Sequence, residues 1–141
     1  MKTVVVTAAI IIRDSQCLIA RRKPEAHQGL KWELPGGKLE VGESPEDCLR
    51  REICEELNLV IEVGDIYKIV SHNYENTHVI LLCYKCSIIA GTPKAIDCHD
   101  FCWVYPEDME NFEFAPADVP VVLQIREQGL LKRLRWREAL S

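Results

Sequence analysis

The stretch GKLEVGESPEDCLRREICEELNL, residues 37–59, decides how the rest of this 141-residue chain is arranged. After a polar loop, Ser44 has the signature of a helix start, because its hydroxyl can cap the first amides and proline follows it. Acidic residues in the next turn favour the same start, since they face the positive end of the helix dipole. We expect the helix to reach about Leu57 and to end at Asn58, since asparagine tolerates the left-handed conformation that ends many helices.

The predicted helix carries three glutamates on one face. Glu52, Glu55 and Glu56 are spaced i, i+3 and i+4, so they lie within an arc of about 100°. Like charges so placed repel each other unless a cation or hydrogen-bond donors compensate them. Carboxylates without histidine or thiolate suit Mg²⁺ or Mn²⁺. A solvated acidic surface with an Arg51–Glu55 ion pair explains the same helix, so the helix alone leaves both interpretations open.

An apolar stripe of Leu49, Ile53 and Leu57 lies beside the acidic face and must cover a sheet. The sheet is predicted by segments rich in β-branched and other apolar residues, at 2–12, 16–22, 59–71, 77–90 and about 100–105. The first two segments read as a hairpin closed by the polar turn RDSQ. The acidic face of the helix therefore borders the core.

Two further segments have a predicted conformation. The stretch WELPGGKLEVGES, residues 32–44, contains proline and three glycines, so we expect a shaped loop with no regular element. From Pro116 we expect a second helix, and KRLRWREAL reads as a packed or solvated helix end. The apolar positions of this helix are Val121, Val122, Ile125, Leu130 and Leu131.

Composition limits the classes of function. With 17 basic and 22 acidic residues the net charge is −5, so the chain lacks the broad positive surface that binds nucleic-acid polymers or anionic membranes. No apolar run approaches the roughly 20 residues that span a bilayer, and the opening segment does not read as a signal peptide. We therefore expect one cytoplasmic domain over residues 1–141, monomeric or homodimeric, with a small-molecule partner.

The seven cysteines are an odd number scattered through apolar stretches, which favours reduced thiols over a disulfide framework. Cys83-x2-Cys86 followed by Cys98-x3-Cys102 has the spacing of a structural zinc site. A regular strand, however, points positions 83 and 86 to opposite faces of a sheet. Buried thiols are therefore the preferred interpretation.

Residues 37–59 resemble the Nudix box, whose pattern is G-x5-E-x7-R-E-U-x-E-E-x-G-U, with U an aliphatic residue. Eight of its nine specified positions are present at the required spacing: Gly37, Glu43, Arg51, Glu52, Ile53, Glu55, Glu56 and Leu59. The departure is Asn58 in place of glycine, and asparagine can adopt the same left-handed conformation.

This resemblance implies an α+β fold, an αβα sandwich around a mixed β-sheet, and hydrolysis of a nucleoside diphosphate linked to a further group. It implies a bound Mg²⁺ or Mn²⁺. The implied metal ligands are Glu52, Glu56 and the carbonyl of Gly37. Glu55 is implied to be a further ligand or an outer partner of the metal site. Glu43 and Arg51 are implied to brace the loop, and Arg22 and Lys38 to contact phosphate, although an ordinary strand-end charge also explains Arg22. Glu52 is the favoured general base, with Glu55 and Glu56 as the other catalytic candidates.

Beyond the box, LIARRKPEAHQGLKWELPGGK, DCHDFCWV and FAPADVP are similar to the small MutT-type nucleoside triphosphate pyrophosphohydrolases. Asp97 stands where that type has a metal-binding glutamate, and Asp100 is the rival. Asp118 stands where that type has a residue that recognises the nucleobase, although a role as the cap of the following helix explains an aspartate there equally well.

The implied substrate is CTP, a modified dCTP or an oxidised purine nucleotide. An ionised Asp118 only accepts hydrogen bonds, which favours the amine of cytosine or an edge of guanine. Thr77 stands where the branch that acts on oxidised guanine often has arginine, which weakens that assignment. Two other classes stay open: a hydrolase of nucleotide sugars or dinucleoside polyphosphates, and a non-catalytic nucleotide-binding module.

Overall fold

A seven-stranded mixed sheet forms the centre of the computed structural model, which describes residues 1–128. In chain order the strands are β1 Lys2–Arg13, β2 Gln16–Arg21, β3 Trp32–Glu33, β4 Gly36–Lys38, β5 Leu59–Asn73, β6 Thr77–Gly91 and β7 Asp100–Val104. The main path runs β3-β2-β1-β6-β5, while β4 pairs with β1 and β7 with β2. β1 and β6 are parallel, and the other pairs are antiparallel.

The predicted hairpin of β1 and β2 is confirmed. Asp14 and Ser15 both have positive φ angles, 51° and 70°, which is the conformation of the two-residue turns that suit twisted strands. The two strands pair only beside the turn, from Ile12 and Cys17 to Arg13 and Gln16. Farther along, the same edge of β1 is occupied by β4.

The expectation of a loop without regular elements over residues 32–44 is wrong, because β3 and β4 lie inside it. Glycine permits strand pairing here by allowing close approach. A Cβ on Gly36 would lie 1.9 Å from the carbonyl oxygen of Thr7, so a larger residue would push β4 away from β1.

The helix α1 spans Pro45–Leu57, as the sequence predicts. Ser44 Oγ accepts a hydrogen bond from the amide of Asp47 at 3.1 Å. Asn58 has φ 59° and ψ 37°, and its amide donates to the carbonyl of Cys54. Both ends of the helix are therefore set by local chemistry.

Apolar cores cover both faces of the sheet, which confirms the αβα arrangement. On one face, Leu49, Ile53 and Leu57 of α1 are fully buried. They lie against Ala9, Ile11, Leu18, Leu59 and Ile61. Ala8 and Ile10 alternate with these strand residues and point into the core on the other face.

The second helix, α2, covers that other face with residues 119–128, after a 3-10 turn at Pro116–Asp118. Its predicted apolar positions Val121, Val122 and Ile125 are buried. The predictions for Leu130, Leu131 and the basic stretch 132–140 fall outside the described residues.

Cys83 lies in the core beside α2, whereas Cys86 packs on the side of α1, as strand alternation predicts. Within residues 1–128, no helix has both the length and the apolar character needed to cross a membrane.

Candidate active site

A cleft of about 640 Å³ opens between β1, β4, the end of α1 and the 3-10 turn that precedes α2. On its acidic side lie Glu52 and Glu56 of α1. On its apolar side lie Val6, Val79, Leu81, Tyr74 and Ala117, together with Asp118. Ligand pockets typically measure about 300–1,000 Å³, so the cleft has the size of a site for a nucleotide or a similar small molecule.

Glu33, Glu52 and Glu56 form a carboxylate cluster that lines this cleft. Burial raises the pKa of all three groups. Glu56 is affected most, because burial and then the charges of Glu33 and Glu52 raise its pKa to about 9. Burial therefore disfavours the ionised form of each carboxyl group in the cluster.

Arg51 connects the acidic helix to the preceding loop. Its guanidinium donates to Glu43 at 2.8 Å and 3.2 Å and to Glu52 at 2.8 Å. These bonds lower the pKa of Glu43 to about 2 and raise that of Arg51. Glu43 also accepts from the amide of Glu40 at 2.9 Å, so Arg51 and Glu43 fix the loop against α1.

Glu55 is placed differently from the other two helix glutamates. Its side chain is 58% exposed, and its carboxylate lies 3.3 Å from Arg51. The i, i+4 ion pair of the solvated-surface interpretation is therefore present, but it includes only this one of the three glutamates.

The carboxylate cluster fits a hard divalent cation by its chemistry. Glu52 and Glu56 are partly buried, burial raises the pKa of both, and the charge of Glu52 raises the pKa of Glu56 further, so a cation would relieve both effects. Among residues 1–128, no three His, Cys, Asp or Glu side chains form a ready metal cage. Mg²⁺ typically binds one or two carboxylates and completes its shell with water and phosphate oxygens. The carbonyl of Gly37, the other implied ligand, already accepts a hydrogen bond from Thr7 at 3.2 Å.

The two candidate phosphate contacts have different surroundings. Arg22 donates to Glu33 at 2.6 Å and to the carbonyl of His27 at 2.6 Å, so its guanidinium forms part of the cleft wall. Lys38 is exposed and lines the cleft.

Asp97, rather than Asp100, lies close to the carboxylate cluster. Its amide donates to the carbonyl of Glu56 at 3.2 Å, and its charge contributes to the raised pKa of Glu56. Its carboxylate forms an ion pair with Lys23 at 2.5 Å. Asp100 begins β7 and accepts a hydrogen bond from the amide of Phe101.

Asp118 is buried, and the structure gives it a partner other than a helix amide. Its Oδ2 accepts from the amide of Leu34 at 2.8 Å, so the helix-cap interpretation is not supported. Burial and the nearby charge of Glu33 raise its pKa to about 8. Burial therefore favours the protonated form of Asp118, in contrast to the ionised form assumed from the sequence.

Three residues of the cleft were missed by sequence reasoning. Glu33 belongs to the carboxylate cluster, Thr7 contacts Gly37, and Tyr74 accepts a hydrogen bond from the amide of Ala117 at 3.0 Å. An acidic residue beside a proline-glycine loop was a usable signal for Glu33. The other two depend on contacts between segments far apart in the sequence.

Comparison with known proteins agrees with this geometry. The sequence model of the NUDIX domain matches residues 2–125. The chain is 36% identical to a CTP pyrophosphohydrolase from Escherichia coli over 86% of this chain and 90% of the relative. It is 27% identical to an 8-oxo-dGTP diphosphatase from the same species over 89% and 98%. The solution structure of the E. coli ORF135 protein matches with a TM-score of 0.78 and 31% identity, covering 93% of this chain and 94% of that one.

The family match and these relatives define the class of protein as a hydrolase of phosphoanhydrides. The chain belongs to the Nudix family, and it is a hydrolase of the MutT type.

Proposed function

We propose that this chain hydrolyses a nucleoside triphosphate to the monophosphate and pyrophosphate, with Mg²⁺ or Mn²⁺ held at Glu52 and Glu56. The observation that carries the proposal is a single cleft that joins a carboxylate cluster to an apolar wall with a buried Asp118. The first part suits phosphates bridged by a cation, and the second suits a flat base. The names of the two relatives from E. coli support this substrate class.

A bound divalent cation would neutralise phosphate charge and lower the pKa of a water molecule. Glu52 is our candidate for accepting the proton of the attacking water. Arg51 lies 2.8 Å from its carboxylate and favours the ionised form, which a base requires. Glu56 is the weaker candidate because its pKa of about 9 keeps it protonated until it binds a cation. Glu55 is the third candidate for the general base, because its side chain is the most exposed of the three.

The remaining site residues bind and orient in this proposal. Lys38 is free to approach a phosphate group. Arg22, held by Glu33, contributes positive charge in the cleft wall. Asp97 adds a carboxylate beside Glu56.

The base is proposed to lie on the apolar side, next to Asp118. Because Oδ2 already accepts from Leu34, a protonated Asp118 carries its proton on Oδ1 and can donate to a ligand. Glu33 offers a neighbouring acceptor. Cytosine presents a ring-nitrogen acceptor beside an amine donor, which matches that pair, so we favour CTP or a modified dCTP. Guanine also has a neighbouring acceptor and donor, and an oxidised purine is the second candidate.

The proposal is tested with a panel of CTP, dCTP, 5-methyl-dCTP, dGTP, 8-oxo-dGTP and ADP-ribose, each with Mg²⁺, with Mn²⁺ or with EDTA. The control is the Glu52→Gln/Glu56→Gln double variant. We expect metal-dependent hydrolysis with the highest kcat/KM for a cytosine triphosphate. Preference for ADP-ribose would show a different Nudix substrate class. Turnover no greater than that of the control would identify a binding module.

A further inference from the structure

Thr7 is a buried hydroxyl side chain on β1 that the proposed function does not use. It is 1% exposed and is, with Asp118, one of two polar residues buried in the described part of the chain. Burying a hydroxyl is unfavourable unless it forms hydrogen bonds. The partners of Thr7 therefore indicate what it holds in place.

These partners belong to two other elements. Thr7 Oγ1 donates to the carbonyl oxygen of Gly37 at 3.2 Å and lies 3.4 Å from Cys48 Sγ. Cys48 Sγ in turn lies 3.7 Å from the same carbonyl oxygen and 3.3 Å from that of Lys38. The hydroxyl and the thiol thus join β1, β4 and α1 immediately beneath the cleft.

β4 fills the space between β1 and the side chain of Glu52. A Cβ on Gly36 would lie 1.9 Å from the carbonyl oxygen of Thr7. A Cβ on Gly37 would lie 2.2 Å from Glu52 Cδ and 2.3 Å from its Oε2. Since β4 touches both neighbours, a displacement of β4 from β1 must move the Glu52 carboxyl group.

We propose that Thr7 is a positioning residue for Glu52, acting through the peptide of Gly37. Backbone pairing holds β4 along β1. The hydroxyl of Thr7 adds a side-chain contact at Gly37, the residue that touches Glu52. The kinetic consequence rests on the proposed hydrolysis, whereas the effect on cation binding rests only on the proposed cation site at Glu52 and Glu56. A small shift of a catalytic carboxylate lowers the rate more than it lowers substrate binding.

The test compares three variants. Thr7→Val removes the hydroxyl and keeps the branched shape, and Thr7→Ser keeps the hydroxyl and removes a methyl group. Thr3→Val is the matched control, because Thr3 is an exposed residue of the same strand and its hydroxyl contacts His78 outside the cleft. For each variant we measure kcat and KM with CTP, Mn²⁺ affinity by electron paramagnetic resonance without nucleotide, and urea unfolding.

For Thr7→Val we expect about a fivefold loss in kcat, the equivalent of one net hydrogen bond, and weaker Mn²⁺ binding with little change in KM. Thr7→Ser should restore both, and Thr3→Val should match wild type. If Thr7→Val only lowers stability, or if Thr7→Ser is equally impaired, Thr7 has no positioning role. If Thr7→Val does not fold, Cys48→Ala replaces it in the test, because it removes the second side-chain contact to the carbonyl of Gly37. The proposal then requires Cys48→Ala to weaken Mn²⁺ binding, and unchanged Mn²⁺ binding overturns it. If the wild type hydrolyses no nucleotide, the proposed function fails, while the Mn²⁺ comparison still decides the role of Thr7.

Discussion

At the scale of single residues, the cleft brings several partly or fully buried acids close together. The pKa of Glu56 is raised to about 9 and that of Asp118 to about 8, in both cases mainly by burial. Glu33 contributes to both shifts, and Arg22 is its ion-pair partner. Such an arrangement is unfavourable for the protein alone, and it becomes favourable when a cation and a ligand with hydrogen-bonding groups enter.

Replacing the two glutamates of α1 that line the cleft tests their role directly. We expect Glu52→Gln or Glu56→Gln to lower kcat about 100-fold or more, because each change removes a charge that holds the cation or accepts a proton. The free energy of unfolding should stay the same or rise, since carboxylate repulsion is relieved. Glu46→Gln is the control, because Glu46 lies in the first turn of α1 and bonds to Tyr84 away from the cleft. Near-native turnover of Glu52→Gln at saturating Mg²⁺ would refute its assignment.

The protonation of Asp118 predicts a pH dependence of base recognition. If the protonated form donates to the base, kcat/KM for CTP should fall as the pH rises through about 8. Asp118→Asn keeps the acceptor for Leu34 and supplies a donor at every pH, so its kcat/KM should not fall in this range. It should also change the ranking of cytosine, 5-methylcytosine, guanine and 8-oxoguanine triphosphates. A wild-type profile that is flat from pH 6 to 9, together with an unchanged ranking, would leave Asp118 with a structural role.

Single residues also show where sequence reasoning ended. Of the box residues on α1, Glu52 and Glu56 line the cleft, whereas Glu55 and Arg51 are not among its lining residues. Glu33 and Thr7 were missed, since their importance depends on the pairing of β4 with β1. The burial that favours the protonated form of Asp118 cannot be read from its neighbours in sequence.

At the scale of elements, local signals predicted α1, the β1–β2 hairpin and the long strands β5 and β6. Their starts and ends are coded by caps, turn residues and strand periodicity. The prediction of a loop without strands over residues 32–44 was wrong. It used the rule that glycine and proline disfavour strands, which takes no account of contacts with distant segments. Close contact with β1 overrides it at Gly36, where only glycine fits.

The end of α1 offers a test at this scale. Asn58 holds a left-handed conformation, and its side chain donates to the carbonyl of Thr92 at 3.3 Å. Asn58→Gly should leave the free energy of unfolding within about 0.5 kcal/mol, because glycine adopts this conformation freely. Asn58→Ala should lower it by about 1 kcal/mol. The measurement is urea unfolding of both variants, and equal stability of the two would show that the left-handed end does not limit the helix.

At the scale of the whole molecule, the raised pKa values link folding to pH and to metal. Glu56 and Asp118 bind their protons more tightly in the folded state than in the unfolded state, so their contribution to stability is present at low pH and is lost as the pH rises through about 8 to 9. A bound cation favours the ionised form of Glu56 and opposes that loss.

We therefore expect the metal-free protein to lose more than about 1 kcal/mol of unfolding free energy between about pH 6 and 9. Saturating Mg²⁺ should reduce this loss, and the stabilisation by Mg²⁺ should be larger at pH 9 than at pH 6. Urea unfolding at several pH values, with EDTA or with Mg²⁺, measures both effects. In Glu56→Gln the dependence on pH should be weaker. A metal effect that does not change with pH would contradict the linkage.

The central claim is that this cleft directs hydrolysis between the α and β phosphates of a nucleoside triphosphate, and product analysis tests it most directly. CTP is incubated with the enzyme and Mg²⁺, the products are separated by anion-exchange chromatography, and the Glu52→Gln variant shows the background. The account predicts CMP and pyrophosphate in equal amounts, with little orthophosphate. CDP and orthophosphate as the main products would contradict it.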